Sequence, residues 1–489
     1  MRKIKNKTNN DKIKSEIVKN CENIKVNNRR RNMDTIAAIS TPLGYGGIGI
    51  IRISGKETFE IIDKIFKPKN NLNKEIKGYT MKYGKIFDSK GKMVDEVLVT
   101  YFVSPKSFTT ENMCEINSHG GPIIVKRILE LCIEHGARLA EPGEFTKLAF
   151  MNGRIDLLQA EAIIEMINSK TKKEQEASVK QLEGGLSKEI NEIKNIIMQK
   201  MVDIEAAIDY PEYDIEEISR QSLREMLVQV KERLEKLEKS FENGKMIKEG
   251  LKMAIIGKPN AGKSSLLNAI LKEERAIVTE FEGTTRDVIE EFIVIEGIPI
   301  KVIDTAGIRN ETKDKIEQIG IEKAKEMAQN ADLVVYMLDA SKPLDKEEQE
   351  LLKIIENKKA IIILNKQDLN TVIRTDSKEI KKINKPIIKI SALKNEGIEE
   401  LYSKIAEMFG LGEIRVDDSV VVTNERHKEL IKNIQKNTNK SIDTIDNNLP
   451  VDITTISIKQ MLDEIGRITG TTASEDIIDE IFKKFCLGK

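Results

Sequence analysis

The chain lacks any run approaching the roughly 18 consecutive apolar residues that a membrane span needs. Its apolar strings, such as IIIL at Ile361–Leu364, have strand length, which excludes a helical membrane protein. Cysteine is scarce: Cys21, Cys114, Cys132 and Cys486 lie far apart with no CxxC pair. That pattern suggests neither a disulfide framework nor a zinc site, and makes a reducing cytosol the default compartment. Net charge is absent too, +0 over the 489 residues, but it is unevenly placed. Residues 1–32 carry eleven Lys/Arg against three Asp/Glu, a net +8, so the remainder sums to −8. This Lys/Asn-rich arm reads either as a nucleic-acid arm or, more plainly, as a disordered extension or mis-assigned start. MDTIAAISTPLG from Met33 looks like a natural beginning. The arm has no apolar core of a signal peptide, and Asp11, Glu16, Glu22 and sparse serine argue against a transit peptide.

No internal repeat occurs. The length suggests about three domains, and 39% hydrophobic with 33% charged residues provides ample material for cores. From Asp34 to Phe150 the strings TIAAIS, GIGIIRIS, KYGKIF and EVLVTYF alternate with turn signals at Gly46–Gly49 and Ser89–Lys92. A helix is expected over Ile123–His135, giving an α+β domain at 33–150. From Ile155 to about Glu242 the pattern is helical. Leu223, Met226, Leu227, Val230, Leu234 and Leu237 share one face, and DYPEYD at Asp209–Asp214 breaks the stretch. The seam is too short for a free coiled coil and predicts a bundle. Between Lys252 and Gly410 strands alternate with helices: KMAIIG, FIVIEGIPIKVID (a hairpin turning at Glu296-Gly297), DLVVYMLD, AIIILN and PIIKIS. Such alternation predicts a mostly parallel sheet covered on both faces. Helical patterns return after Glu413. The expected organisation is multidomain α/β and α+β: 1–32 extension, 33–150 N-terminal domain, 151–248 and 412–489 as two parts of a discontinuous helical bundle, and 249–411 an inserted α/β domain, which the loop at Gly257–Ser264, GKPNAGKS, marks as P-loop (Ras-like).

GKPNAGKS at Gly257–Ser264 is a complete GxxxxGK[ST] loop between a strand and a helix. Asn260, Ala261, Gly262, Lys263, Ser264 and Ser265 would meet phosphates through backbone N–H groups and the helix N-terminus. Lys263 would reach the β/γ-phosphates and Ser264 would ligate Mg²⁺. Thr284-Thr285 in EGTTRD is a switch candidate, with Thr285 available to Mg²⁺. Asp304, Thr305, Ala306 and Gly307 form a DTAG box for the metal and γ-phosphate. NKQD supplies Asn365, Lys366 and Asp368, and SAL supplies Ser391, Ala392 and Leu393. An Asp368 carboxylate can accept from N1–H and the 2-amino group of guanine, which adenine cannot match. The four elements in order point to GTP. Ile308 stands where a water-positioning glutamine is expected. Glu317 can orient water in its place or be an ordinary helix carboxylate. Asn260 can hold a monovalent cation or simply shape the loop.

These motifs, with TIAAISTPLGYGGIGIIRISG, EINSHGGP, PGEFTKLAFMNGRIDLLQAEA, IEQIGIEKA and the terminal FCLGK, resemble the MnmE/TrmE family of tRNA-modification GTPases from Met33 to Lys489. The resemblance implies a cytoplasmic homodimer that works with a flavin-dependent MnmG/GidA-type partner in a heterotetramer and meets tRNA mainly through that complex, with no membrane. It implies addition of an aminomethyl or carboxymethylaminomethyl group to C5 of the wobble uridine, the one-carbon unit coming from a 5-formyl- or 5,10-methylene-tetrahydrofolate-type folate. It also implies potassium-stimulated hydrolysis, with K⁺ on Asn260, Thr279, Phe281 and Thr284, Mg²⁺ on Ser264 and Thr285, and Glu317 as the catalytic carboxylate. Glu280, Glu282 and Gly283 join the GTP-binding stretch. The folate site maps to Arg52, Glu115, Arg154 and Lys489, cations for carboxylates and a carboxylate for the aminopyrimidinone edge. Cys486 is either a reactive thiol or a small hydrophobe packing the C-terminus. A ribosome-assembly GTPase timer and a regulatory scaffold are the alternatives. The −8 body argues against strong autonomous RNA binding.

Overall fold

The computed structural model describes residues 34–69, 76, 78–209, 215–271, 276–279, 290–303, 319–373, 380, 383–414 and 421–489. Side chains are described for these except at 203–209, 215–219, 276–279, 290–291, 319–321 and 451–452. The basic arm lies outside the described residues. The chain forms two compact units, Met1–Glu161 with Ala473–Lys489, and Ala162–Thr472. Among the described residues no helix is long and apolar enough to cross a membrane.

The first unit is built on a seven-stranded sheet. Its strands are β1 (Ile36–Ile39), β2 (Gly46–Ser54), β3 (Phe66–Pro68), β4 (Thr80–Phe87), β5 (Met93–Phe102), β6 (Met113–Gly120) and β7 (Arg138–Leu139), in the order β3-β4-β5-β6-β2-β1-β7. All pairs are antiparallel except β1 with β7. Period-two alternation decides which side chains reach the site. Ile51 and Ile53 of β2 and Cys114 and Ile116 of β6 are buried in the core with Ile61, Ile62, Ile128 and Leu131 from helices Thr58–Ile65 and Pro122–Glu134. Arg52 and Glu115 therefore emerge on the other face, directly opposite each other in the ladder. The chain's last helix, Glu475–Phe482, belongs to this unit: Lys147 ion-pairs with Asp479, and the Phe150 and Phe482 rings lie 6.2 Å apart.

The second unit joins a helical bundle to a second sheet. Helices Gly185–Asp209, Ile215–Glu249, Glu425–Asp446 and Val451–Thr469 each pack on the next, and the last packs on the first, closing a four-helix ring. Leu223, Met226, Leu227, Val230, Leu234 and Leu237 are all buried along the expected seam. Between the second and third of these helices lies the inserted sheet: β8 (Leu251–Ile256), β9 (Ala276–Thr279), β10 (Glu290–Ile295), β11 (Ile298–Val302), β12 (Leu333–Asp339), β13 (Ala360–Asn365) and β14 (Ile387–Lys389). The order is β14-β13-β12-β8-β11-β10-β9. The first five run parallel, and β10 is antiparallel to both β11 and β9. β10 and β11 form the expected hairpin, with Glu296 and Gly297 at φ 51° and 76°, the paired left-handed conformation of a tight hairpin turn. In β8, Met253 and Ile255 face one apolar layer, while Ala254 and Ile256 face the other. Both faces are covered, which is why the parallel strands read as unbroken apolar strings. Parallel strands also bring the carboxyl ends of β8, β13 and β14 to one edge, where ligand sites of such sheets form.

Candidate functional site

The GKPNAGKS loop follows β8 and opens the helix Lys263–Leu271. Lys263 Nζ donates to the carbonyls of Gly257 and Lys258, each at 2.8 Å, so its ammonium rests on the loop that would hold phosphate. Ser264 is half-buried at the first helical turn, and Ser265 is exposed. Asn260 is exposed and left-handed, at φ 62°. Gly262 has φ 106°, and a Cβ there would lie 2.1 Å from Asn365 Nδ2. Only glycine allows the loop to approach the NKQD turn this closely.

Asn365 explains that closeness. It is buried at the end of β13; its Nδ2 donates to the Ala261 carbonyl at 2.8 Å and its Oδ1 accepts from the Ala392 N–H at 3.0 Å. One side chain thus ties the phosphate loop to the SAL loop. Ser391, fully buried, donates its hydroxyl to Asp368 Oδ1 at 2.6 Å. That hydrogen bond holds the Asp368 carboxyl below the usual carboxylate range and keeps it ionised for a base edge. Leu393 is exposed beyond it. Thr279 closes β9 in strand conformation. Glu280, Phe281, Glu282, Gly283, Thr284, Thr285, Asp304, Thr305, Ala306, Gly307 and Glu317 lie outside the described residues.

Two contributors have no motif of their own. Asp339, at the end of β12, accepts from Lys366 Nζ at 2.6 Å; its only signal in the sequence is a carboxylate closing an otherwise apolar strand. Lys258, inside the phosphate loop, ion-pairs with Asp345 and, at 2.7 Å, with Glu347. Asp345 also caps the helix Lys346–Ile354 through a capping box.

In the first unit three of the expected folate residues, Arg52, Glu115 and Arg154, come together around Phe108, and the backbone of Gly488, next to Lys489, reaches Arg52. Arg52 Nε and Nη2 donate to Glu115 Oε1 at 3.0 and 2.7 Å, and Nη1 donates to the Gly488 carbonyl at 3.2 Å. The Arg52 guanidinium lies 5.5 Å from the Phe108 ring centre and 5.6 Å from that of Phe145. Arg154 stands 4.8 Å over the Phe108 ring and donates to the Phe108 carbonyl at 3.0 Å. Glu115, Arg154, Tyr79, Phe102, Phe108 and Asn152 line a cleft of about 540 Å³. Gly488 has φ 86°, and a Cβ there would meet the Ile39 carbonyl at 2.3 Å. Ser40 Oγ also donates to the Gly488 carbonyl, so the C-terminal tail is fastened beside β1 and β2 by the residue that precedes Lys489. Cys486 is exposed, and Phe482 and Phe485 do the packing instead.

A phosphate loop, a guanine-type NKQD turn and a SAL loop at one edge of a mostly parallel sheet define a P-loop GTPase, here inserted into a helical bundle. A family model described as the MnmE helical domain matches residues 157–486, and one described as GTP-binding protein TrmE N-terminus matches 35–154. The tRNA modification GTPase MnmE of Acetivibrio thermocellus is 49% identical over 462 residues, covering 93% of this chain and 99% of that protein. The proteins of the same name from Clostridioides difficile and Thermoanaerobacter sp. are each 49% identical, over 458 and 460 residues with the same coverage. The chain belongs to the MnmE/TrmE family.

Proposed function

We propose that this GTPase uses Mg²⁺ and K⁺ and, in a homodimer joined by an MnmG/GidA-type flavoprotein, adds an aminomethyl or carboxymethylaminomethyl group to C5 of the tRNA wobble uridine in the cytoplasm. The observation that carries this reading is a cleft lined by Glu115 and Arg154, with Arg52 bonded to that same Glu115 and to the Gly488 carbonyl of the C-terminal tail, which a GTPase timer does not require. Both bonds from Arg52 to Glu115 fall on Oε1, leaving Oε2 unpaired among the described residues. That arrangement suits an aminopyrimidinone edge, which offers N–H donors to a carboxylate. Arg154 and Lys489 would hold the folate carboxylates, and the phenyl ring of Phe108 gives the cleft an apolar wall. The folate would supply the one-carbon unit.

In the nucleotide domain, Lys263 would move from its loop carbonyls to the phosphates, with Ser264 and Thr285 on Mg²⁺. Asn260 presents a neutral amide oxygen at the exposed rim of the loop, a donor type suited to K⁺; Thr279, Phe281 and Thr284 would complete that set, and Glu317 would orient water. Measured in KCl and in NaCl, the wild-type GTPase rate is expected to be higher in KCl, and Glu317→Ala is expected to abolish the gain. Equal rates in both salts would remove the cation, and an unimpaired variant would remove Glu317. Wobble uridines should lack the modification in a deletion strain. Intact modification there, with defective ribosomal subunits, would restore the timer. Binding of tRNA by this chain alone should be weak and salt-sensitive.

A further inference from the structure

Asp339 is 5% exposed and sits where β12 ends beside Asn365 of β13. Its Oδ2 accepts from Lys366 Nζ at 2.6 Å, while Oδ1 accepts from the Ser341 N–H at 3.1 Å and the Ser341 hydroxyl at 2.6 Å. Burial pushes the Asp339 carboxyl up, but the Lys366 ammonium and the Ser341 donors outweigh it and hold the group below the usual carboxylate range. A buried carboxylate at a strand end is costly, and a hydrophobic or neutral residue would pair the strands as well. The distinguishing partner is Lys366.

Lys366 is itself unusual, with φ 67°, a conformation uncommon outside glycine and asparagine. It starts the tight turn that contains Asp368, closed by the Leu369 N–H on the Lys366 carbonyl at 3.0 Å. The Lys366 stem and the Asp368 carboxylate thus leave one turn. A free lysine stem there would sample many rotamers; pinning its ammonium at Asp339 removes most of that freedom in advance.

We propose that Asp339 is a positioning residue for guanine nucleotides: it fixes Lys366 so that the aliphatic stem forms a wall against the base plane, while Asp368 reads the base edge. The inference rests on the guanine-nucleotide reading of the NKQD turn and extends it to a residue outside every motif. A wall senses the purine face and not the 2-amino group, so its loss must weaken GDP and inosine diphosphate equally.

Calorimetric titration of the full-length chain with GDP and with inosine diphosphate tests this. Asp339→Asn is expected to weaken both by the same factor, roughly tenfold or more, the scale of one charge-assisted hydrogen bond. Asp368→Asn, in contrast, should collapse the preference for GDP over inosine diphosphate. Asp339→Asn with Lys366→Met should be no weaker than the weaker single variant, because both remove one interaction. Should Asp339→Asn fail to fold, Ser341→Ala, which leaves the ion pair in place and removes one donor to the Asp339 carboxylate, is expected to weaken both nucleotides roughly two- to fivefold, less than the loss of the Lys366 pair itself because the effect on ligand is indirect. Affinities within twofold of wild type, additive losses in the double variant, or a selective loss of GDP would overturn the proposal. Failure of the wild-type chain itself to bind GDP would instead sink the guanine-nucleotide reading.

Discussion

Asn365→Ala isolates the coupling between the phosphate loop and the base-binding loop. The native side chain is 3% exposed, and its partners are buried as well, Ala261 at 2% and Ala392 at 7%. Truncation removes the 2.8 Å bond to the Ala261 carbonyl and the 3.0 Å bond from the Ala392 N–H, and leaves both backbone groups without a replacement. Each net hydrogen bond is worth about 0.5–1.5 kcal/mol and each stranded buried group costs about 1–3 kcal/mol. With water admitted to part of the gap, a total of about 2–4 kcal/mol is reasonable. Since 1.4 kcal/mol is roughly tenfold in affinity, GDP should bind about thirty- to several-hundredfold more weakly if most of the loss falls on the nucleotide-bound arrangement. Asn365→Asp refines the test. It keeps an acceptor for Ala392 but turns a carboxylate toward the Ala261 carbonyl, so it breaks only the phosphate-loop half. Stopped-flow release of a fluorescent GDP, with urea unfolding in parallel, separates binding from stability. Asn365→Ala binding GDP within threefold of wild type, with an unchanged urea midpoint, would refute the reasoning.

Gly488→Ala should dislodge the C-terminal tail. The left-handed backbone costs a Cβ-bearing residue about 1–2 kcal/mol, and the added atom would sit 2.3 Å from the Ile39 carbonyl. A tetrahydrofolate titration should show at least about tenfold weaker binding; wild-type affinity would disconnect the tail from the cleft. Cys114 and Cys132 are fully buried, and burial pushes both thiols up, Cys132 to about 12. In a Cys21→Ser background at pH 8, a thiol reagent should therefore label Cys486 alone until denaturant is added, and rapid native labelling of a second thiol would count against this core. Burial also raises the carboxyl of Glu174. An acid whose folded pKa is raised costs nothing below its unfolded value; it destabilises progressively above that value and fully above the folded one. Glu174→Gln, which keeps an acceptor for the Lys170 N–H, should thus raise the urea midpoint at pH 7.5 and leave it nearly unchanged below about pH 4. A larger gain at the acid end would reverse the sign of the argument.

Legibility in the sequence follows from how far each property depends on the local chain. Six strands of the inserted sheet are legible as apolar strings, and the bundle seam from Leu223 to Leu237 is legible because a helix repeats its buried face at a fixed spacing; β9, the four-residue AIVT at Ala276–Thr279, is not, and is a strand through its pairing with β10. β6 was opaque: MCEINSHG has a polar composition that no strand propensity favours, and it is a strand because β5 and β2 flank it on either side. The C-terminal helix carries the same amphipathic signature as the bundle helices, so pattern alone groups it with them; its place in the first unit comes from tertiary partners such as Lys147 and Phe150. The site divides in the same way. A phosphate loop is a backbone shape, and its shape is set by residues next to one another, so Gly257–Ser264 announces itself. The Arg52–Glu115 pair depends on a strand register, and the approach of Gly488 depends on a chain end returning across the whole sequence; neither is written in a local string, and only the family resemblance brought those residues together in advance. Asp339 is the limiting case. It belongs to no motif, yet it pins the ammonium of a motif residue, Lys366, a contact the motif string does not specify. Motif residues are legible because ligand chemistry restricts them directly, whereas a residue that acts on ligand through another side chain leaves only the weak mark of a carboxylate buried where an apolar residue would do.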